Sequence, residues 1–199
     1  IHISRFTNWQ NTTKKLIVDY VSRLTESLNN DLPSSTKSIY SVFERTWYKY
    51  YAYVVENIST YLPDDYEDNF LTKKTFDDAK QLLVEAVSGI EVVAVNSASG
   101  DELIYPDKTE KKYIAIGGNK LSRGFTLEGL TINYFTRNTN FADSLLQMGR
   151  WFGYRPGYID CCKLFTTSEN IEKFHEASKI IEDLENKFKY LAGLPGRTP

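Results

Sequence analysis

Apolar positions recur with a helical period in the first half of the chain and change to short unbroken runs in the second. "IHISRF" (1–6) alternates and predicts a short strand. Leu16, Ile17, Tyr20, Val21, Leu24 and Leu28 then fall at helical spacing, which predicts an amphipathic helix over 10–30. "LPSSTKS" (32–38) interrupts the pattern. Tyr40, Phe43, Trp47, Tyr51, Val54, Ile58 and Tyr61 resume it over 38–61, as far as "LPDDYEDN". A further amphipathic helix is predicted over 75–88, ending at Gly89.

Beyond Gly89 the period changes. "IEVVAV" (90–95), "YIAIGG" (113–118) and "LTINYF" (130–135) are apolar runs rich in β-branched residues. They predict strands buried on both faces, as in a parallel sheet. A helix is expected around 142–153, a last strand in "DCCKLFTT" (160–167), and a long polar helix over 168–190. Strands alternating with helices give an α/β fold with crossover connections. Residues 33–75 then stand apart as a helical insert, and no internal repeat is present. The whole of 1–199 reads as one domain. It opens at Ile1 without Met and stops at "LAGLPGRTP", so both ends read as cuts in a longer chain.

Composition narrows the function classes. Hydrophobic residues make up 41% and aromatic residues 14%, enough for a sizeable core. A net charge of −2 and a pI near 5.8 give no overall basic footprint, so phosphate contacts must come from a few placed groups. Cys161 and Cys162 are adjacent and point to opposite sides of an extended segment, a poor disulfide geometry. Reduced thiols fit a cytoplasmic protein. No apolar run approaches the roughly 18 residues of a membrane span, and no signal peptide is visible.

The candidate chemistry lies in "IAIGGNKLSRGFTLEGLTINYF" (114–135) and "SLLQMGRWFGYRPGY" (144–158). In the first, a strand runs into Gly117 and Gly118, and glycines at a strand's carboxyl end let the backbone approach a phosphate. A tight turn with an exposed Arg123 is the plainer alternative. In the second, Arg150 and Arg155 stand among Trp151, Phe152 and Tyr154. In a parallel sheet both segments emerge at one edge, so Arg123, Arg150, Arg155 and Gln147 would converge on one crevice. A guanidinium fork suits phosphate oxygens, although an ion pair with an acidic residue would equally satisfy Arg150 or Arg155.

"GGNKLSRGFTLEGLTINYF" followed by "LLQMGRWFGYR" resembles motifs V and VI of the second RecA-like lobe of superfamily 2 helicases and translocases. With "IHISRF…Q" at the front, the chain more closely resembles the Z1 domain, a family described as endonuclease-like and found in bacterial proteins linked to defence and restriction. The resemblance implies a RecA-like, mostly parallel sheet flanked by helices. It places Arg123 and Gly124 on the motif V pair that couples a nucleotide site to the nucleic-acid backbone. Gly149 and Arg150 fall on motif VI, making Arg150 the candidate arginine finger, with Gln147 and Arg155 as catalytic neighbours. Gly124, Thr126 and Gly149 would border the nucleotide. Ser4 and Arg5, with His2 near motif IV, and Gly118, Asn119, Lys120, Ser122 and Arg123 would face DNA.

The sequence departs from the helicase pattern in places. Thr126 stands where helicases usually keep Asp or Asn. Gln147 lies closer to Gly149, and Arg155 farther from Arg150, than that pattern has. No G-x-x-x-x-G-K-S/T loop occurs. The resemblance therefore implies that ATP, with Mg²⁺, is bound mainly by an N-terminal lobe outside this sequence, and that this segment alone hydrolyses none. Pro106-Asp107 with Glu110 and Lys112 mimics a nuclease signature. Nuclease chemistry needs carboxylates on adjacent strands sharing a metal, and these residues fit in one charged turn. His2 and His175 lie too far apart for a zinc pattern. Tyr48 and Tyr53, off the aromatic stripe, leave room for a partner surface.

Overall fold

Among the described residues, four short parallel strands carry the fold, and residues 1–4 join them into one sheet. The structure is a computed structural model describing residues 1–4, 6–32, 36–96, 103–105, 110–118, 121, 127, 129–136 and 156–192. β1 (Ile90–Val95) pairs in parallel with β2 (Lys112–Gly117), Val95 lying opposite Gly117. β3 (Ile132–Phe135) pairs in parallel with β4 (Lys163–Thr166). Between the two pairs runs the N-terminal segment. His2 bridges in parallel to both Gly117 and Phe135. Its N–H donates to Tyr134 O (2.7 Å), and Gly117 N–H donates to Ile1 O (3.0 Å). The spatial order is therefore β1, β2, residues 1–4, β3, β4.

The segment turns at Ser4 into α1 (Thr7–Asn30), which packs across β1 and β2. Leu28 of α1 meets Tyr40 and Val87 in one buried cluster, and the Tyr40 hydroxyl donates to Leu28 O (2.9 Å). The expected single helix over 38–61 is instead α2 (Ile39–Tyr50), α3 (Ala52–Asn57) and a 3₁₀ turn (Ile58–Tyr61). The backbone leaves helical angles at Tyr51 (φ −121°, ψ −47°), which accounts for the break. Most of the aromatic stripe faces protein, whereas Tyr48, Tyr53 and the stripe's last member, Tyr61, are exposed.

The helix expected over 75–88 is likewise two short ones, α4 (Phe76–Lys80) and α5 (Leu83–Val87). Thr75 and Asp78 form a reciprocal capping box at its start. Gly89, at φ +79°, supplies the left-handed turn that lets β1 begin.

Two expectations about the sheet are corrected. β3 is buried on one face only: Asn133 and Phe135 are covered, while Ile132 and Tyr134 are nearly half exposed. The described helices explain this, since α1 packs mainly on β1 and β2. Cys161 and Cys162 precede the last strand rather than belong to it. Both amides donate to Tyr158 O in a turn, and β4 starts at Lys163. Neither cysteine is in a disulfide, and burial, with Asp160 beside it, pushes the Cys161 thiol up to about 11.

α6 (Ser168–Ala192) closes the described chain. Its first half covers the sheet through Phe174, which packs on Phe135. Its second half is less polar at the surface than expected, exposing Ile181, Leu184, Phe188 and Leu191. His175 is exposed on this helix. Among the described residues, no helix is long and apolar enough to cross a membrane.

Candidate functional site

Parallel pairing puts the carboxyl ends of all strands on one edge, and side-chain hydrogen bonds hold most of those ends. At the centre, His2 Nε2 shares a hydrogen bond with Gly118 O (2.7 Å) just past β2. Its backbone carbonyl accepts from Thr136 N–H (3.3 Å) just past β3. The imidazole stacks on Phe135 with ring centres 5.1 Å apart and is 2% exposed. One residue thus ties together the points where the chain leaves β2 and β3.

The neighbouring ends are held in the same way. Gln10, buried in the first turns of α1, donates from Nε2 to Ser4 O (2.7 Å). The Ser4 hydroxyl accepts from Phe6 N–H (3.2 Å). Past β1, Asn96 donates to Asn11 Oδ1 of α1 (3.4 Å). Past β4, Asn170 donates to Thr166 Oγ1 (3.0 Å). Hydrogen bonds strengthen in a low-dielectric interior, so such a network fixes geometry as well as stability.

Of the residues expected to contact ligand, His2, Ser4 and Gly118 are described, and all three are engaged in this scaffold. Gly118 is buried, and its carbonyl takes His2 and also Leu121 N–H (3.1 Å). Gly117, expected to open the backbone to a phosphate, is instead covered by Leu121. A Cβ there would lie 2.6 Å from Leu121 Cδ1 and 3.1 Å from Val95 O. Gly117→Ala should therefore destabilise the domain by about 1–3 kcal/mol through overpacking, read as a lower urea midpoint. An unshifted midpoint would show that Leu121 moves aside freely.

Arg5, Asn119, Lys120, Ser122, Arg123, Gly124, Thr126, Gln147, Gly149, Arg150 and Arg155 lie outside the described residues. Their attachment points do not. Gly118 leads directly to Asn119, and Thr136 to residue 137, and His2 holds both attachment points at one edge.

Charge is segregated along the sequence, a signal that the chain-wide balance conceals. Residues 1–18 carry Arg5, Lys14 and Lys15 and no acid. Residues 111–159 carry Lys111, Lys112, Lys120, Arg123, Arg137, Arg150 and Arg155 against Glu128 and Asp143. Local runs of one sign shape the field at a cleft even when the net charge is near zero. The nuclease-like run falls partly outside the described residues (106–109). Of its described part, Lys112 donates to Glu85 O (2.5 Å), Lys111 pairs with Glu91, and Glu110 is exposed. Among the described residues no group of three His, Cys, Asp or Glu could hold a metal ion.

Sequence reasoning overlooked His2, Gln10 and Asn96 as structural polar groups. A histidine inside an alternating strand and an Asn directly after an apolar run are the signals that point to them.

No curated protein matches the chain, and no solved structure matches it. The model of the Z1 domain matches it over residues 1–199, its full length, and the chain therefore belongs to the Z1 domain family.

Proposed function

We propose that this Z1 domain is the second, RecA-like lobe of an ATP-driven motor acting on DNA. The observation that carries the reading is the carboxyl edge of the parallel sheet. There His2 holds together the attachment points of segments 119–126 and 137–155, which contain Arg123, Arg150 and Arg155. Open α/β sheets bind ligands at that edge. A polyphosphate fits it chemically, because the segments leaving it are rich in Lys and Arg and nearly free of acids.

In this reading Arg150 reaches the γ-phosphate of ATP held mainly by an N-terminal lobe of the full-length protein, with Mg²⁺ bound there too. ATP supplies the phosphoryl group whose transfer drives movement. Gly124, Thr126 and Gly149 border the nucleotide, Gln147 and Arg155 flank Arg150, and Arg5, Asn119, Lys120, Ser122 and Arg123 grip the DNA backbone. Ser4 and Gly118 support these contacts from within, since the structure uses their polar atoms to hold strand ends.

Backbone contacts predict a specific salt response. In the full-length protein, Lys120→Ala and Arg123→Ala should each weaken DNA binding regardless of sequence. Each should lower the slope of log affinity against log salt by about one. Fluorescence anisotropy on labelled DNA at several salt concentrations measures both. Unchanged affinity and slope in both variants would remove DNA from the proposal.

A further inference from the structure

The helical insert touches the sheet at β4, which follows the arginine-bearing segment. Tyr50 sets its ring edge-on to Phe165 of β4 (5.4 Å), and Lys163 Nζ lies 4.8 Å from the Tyr51 ring centre. The loop beyond the insert's helices then folds on itself, with Tyr66 N–H on Pro63 O (3.0 Å) and Leu71 N–H on Asp68 O (3.2 Å). This presents the Asp68 carboxylate to a turn 89 residues away in sequence.

Three donors converge on that carboxylate. Oδ2 accepts from Gly157 N–H (2.5 Å) and from the Tyr66 hydroxyl (3.3 Å), and Oδ1 accepts from Phe70 N–H (2.9 Å). Burial alone would raise the Asp68 pKa, but hydrogen bonds from Gly157, Phe70 and Tyr66 together hold it below the usual carboxylate range. Gly157 is adapted to the contact. Its φ is +79°, and a Cβ on it would lie 2.7 Å from Phe70 Cβ. Only glycine takes up this backbone angle readily, and only glycine leaves room for Phe70. An asparagine at 68 has one acceptor oxygen and would turn an NH₂ toward donors, so it cannot reproduce the contact.

Gly157 stands two residues after Arg155 and seven after Arg150. We infer that Asp68 is a positioning residue for this segment, through which the helical insert fixes where the chain leaves Arg155 and so regulates the presentation of Arg150. The inference rests on the proposed motor function, and it makes the insert a control arm rather than an ornament. A carboxylate held by three donors is a stiff anchor, and displacement of a catalytic group by about 1 Å can cost up to a hundredfold in rate.

The test uses the full-length protein with Asp68→Asn, and Glu169→Ala on α6 as a surface control. Two readouts are taken: amide hydrogen exchange of the 156–160 turn, and steady-state ATP turnover. Exchange in the turn should rise about tenfold, and kcat should fall about tenfold with KM for ATP within about twofold. Unchanged exchange would overturn the clamp. Raised exchange with unchanged kcat would overturn the positioning role. A wild-type protein without ATP turnover would sink the motor reading and the positioning role with it, while the exchange result still decides whether the clamp exists. If Asp68→Asn prevents folding, Tyr66→Phe removes a single donor and should give smaller changes in both readouts together. Changes in one readout alone would overturn the inference.

Discussion

ATP turnover by the full-length protein should fall by roughly three orders of magnitude when Arg150 is replaced by alanine. The reason is the timing of charge. An arginine finger meets the phosphoryl group most strongly as charge spreads over its oxygens in the transition state, and less in the ground state. Binding of ATP should therefore change by less than about threefold, an effect confined to kcat. Arg150→Lys should restore little, because an ammonium cannot reproduce the planar two-pronged contact. Arg155→Ala should cost less than Arg150→Ala, because in the proposed arrangement Arg155 only flanks the finger. Phosphate release at saturating ATP and equilibrium nucleotide binding together decide the matter. Wild-type turnover in Arg150→Ala would sink the finger assignment.

Removal of the imidazole of His2 should lower the unfolding free energy by about 3 kcal/mol. Three losses combine: a side chain only 2% exposed, its stack on Phe135, and the hydrogen bond at Gly118 O. His2→Phe separates them. Phenylalanine keeps the volume and the stack but leaves the Gly118 carbonyl without its imidazole partner, so it should recover only part of the loss. Urea unfolding of both variants measures the difference. A loss under about 1 kcal/mol in His2→Ala would show that the centre of the sheet does not depend on this residue.

The sequence made local elements legible and long-range ones obscure. β1 was readable because a β-branched run sits between Gly89 and Asn96. α1 was readable because its apolar residues keep one period over most of its length. The break at Tyr51 was not, since aromatic spacing continues through it while the backbone does not. The open face of β3 was missed because Ile132 and Tyr134 are as apolar as buried residues. Their exposure depends on which helices cover which strands.

The same division holds for the site. The shared edge followed from the prediction of a parallel sheet. The role of His2 did not, because both its partners lie more than a hundred residues away in sequence. Likewise Asp68 reads as one acid in "LPDDYEDN", and nothing local shows that it serves Gly157.

The central position of residues 1–4 bears on how the chain is made. The segment is synthesised before both strands it joins, and Gly117 and Phe135, the residues it bridges, follow it by more than a hundred residues. Until Phe135 appears, the nascent sheet can form only its β1–β2 side, and the opening segment must wait without its second neighbour. Closure of such distant pairings is slow, and an unpaired strand invites wrong partners meanwhile. Assembly of the edge that bears the proposed site therefore waits for β3 to be made, and is governed by when residues 1–4 find their slot.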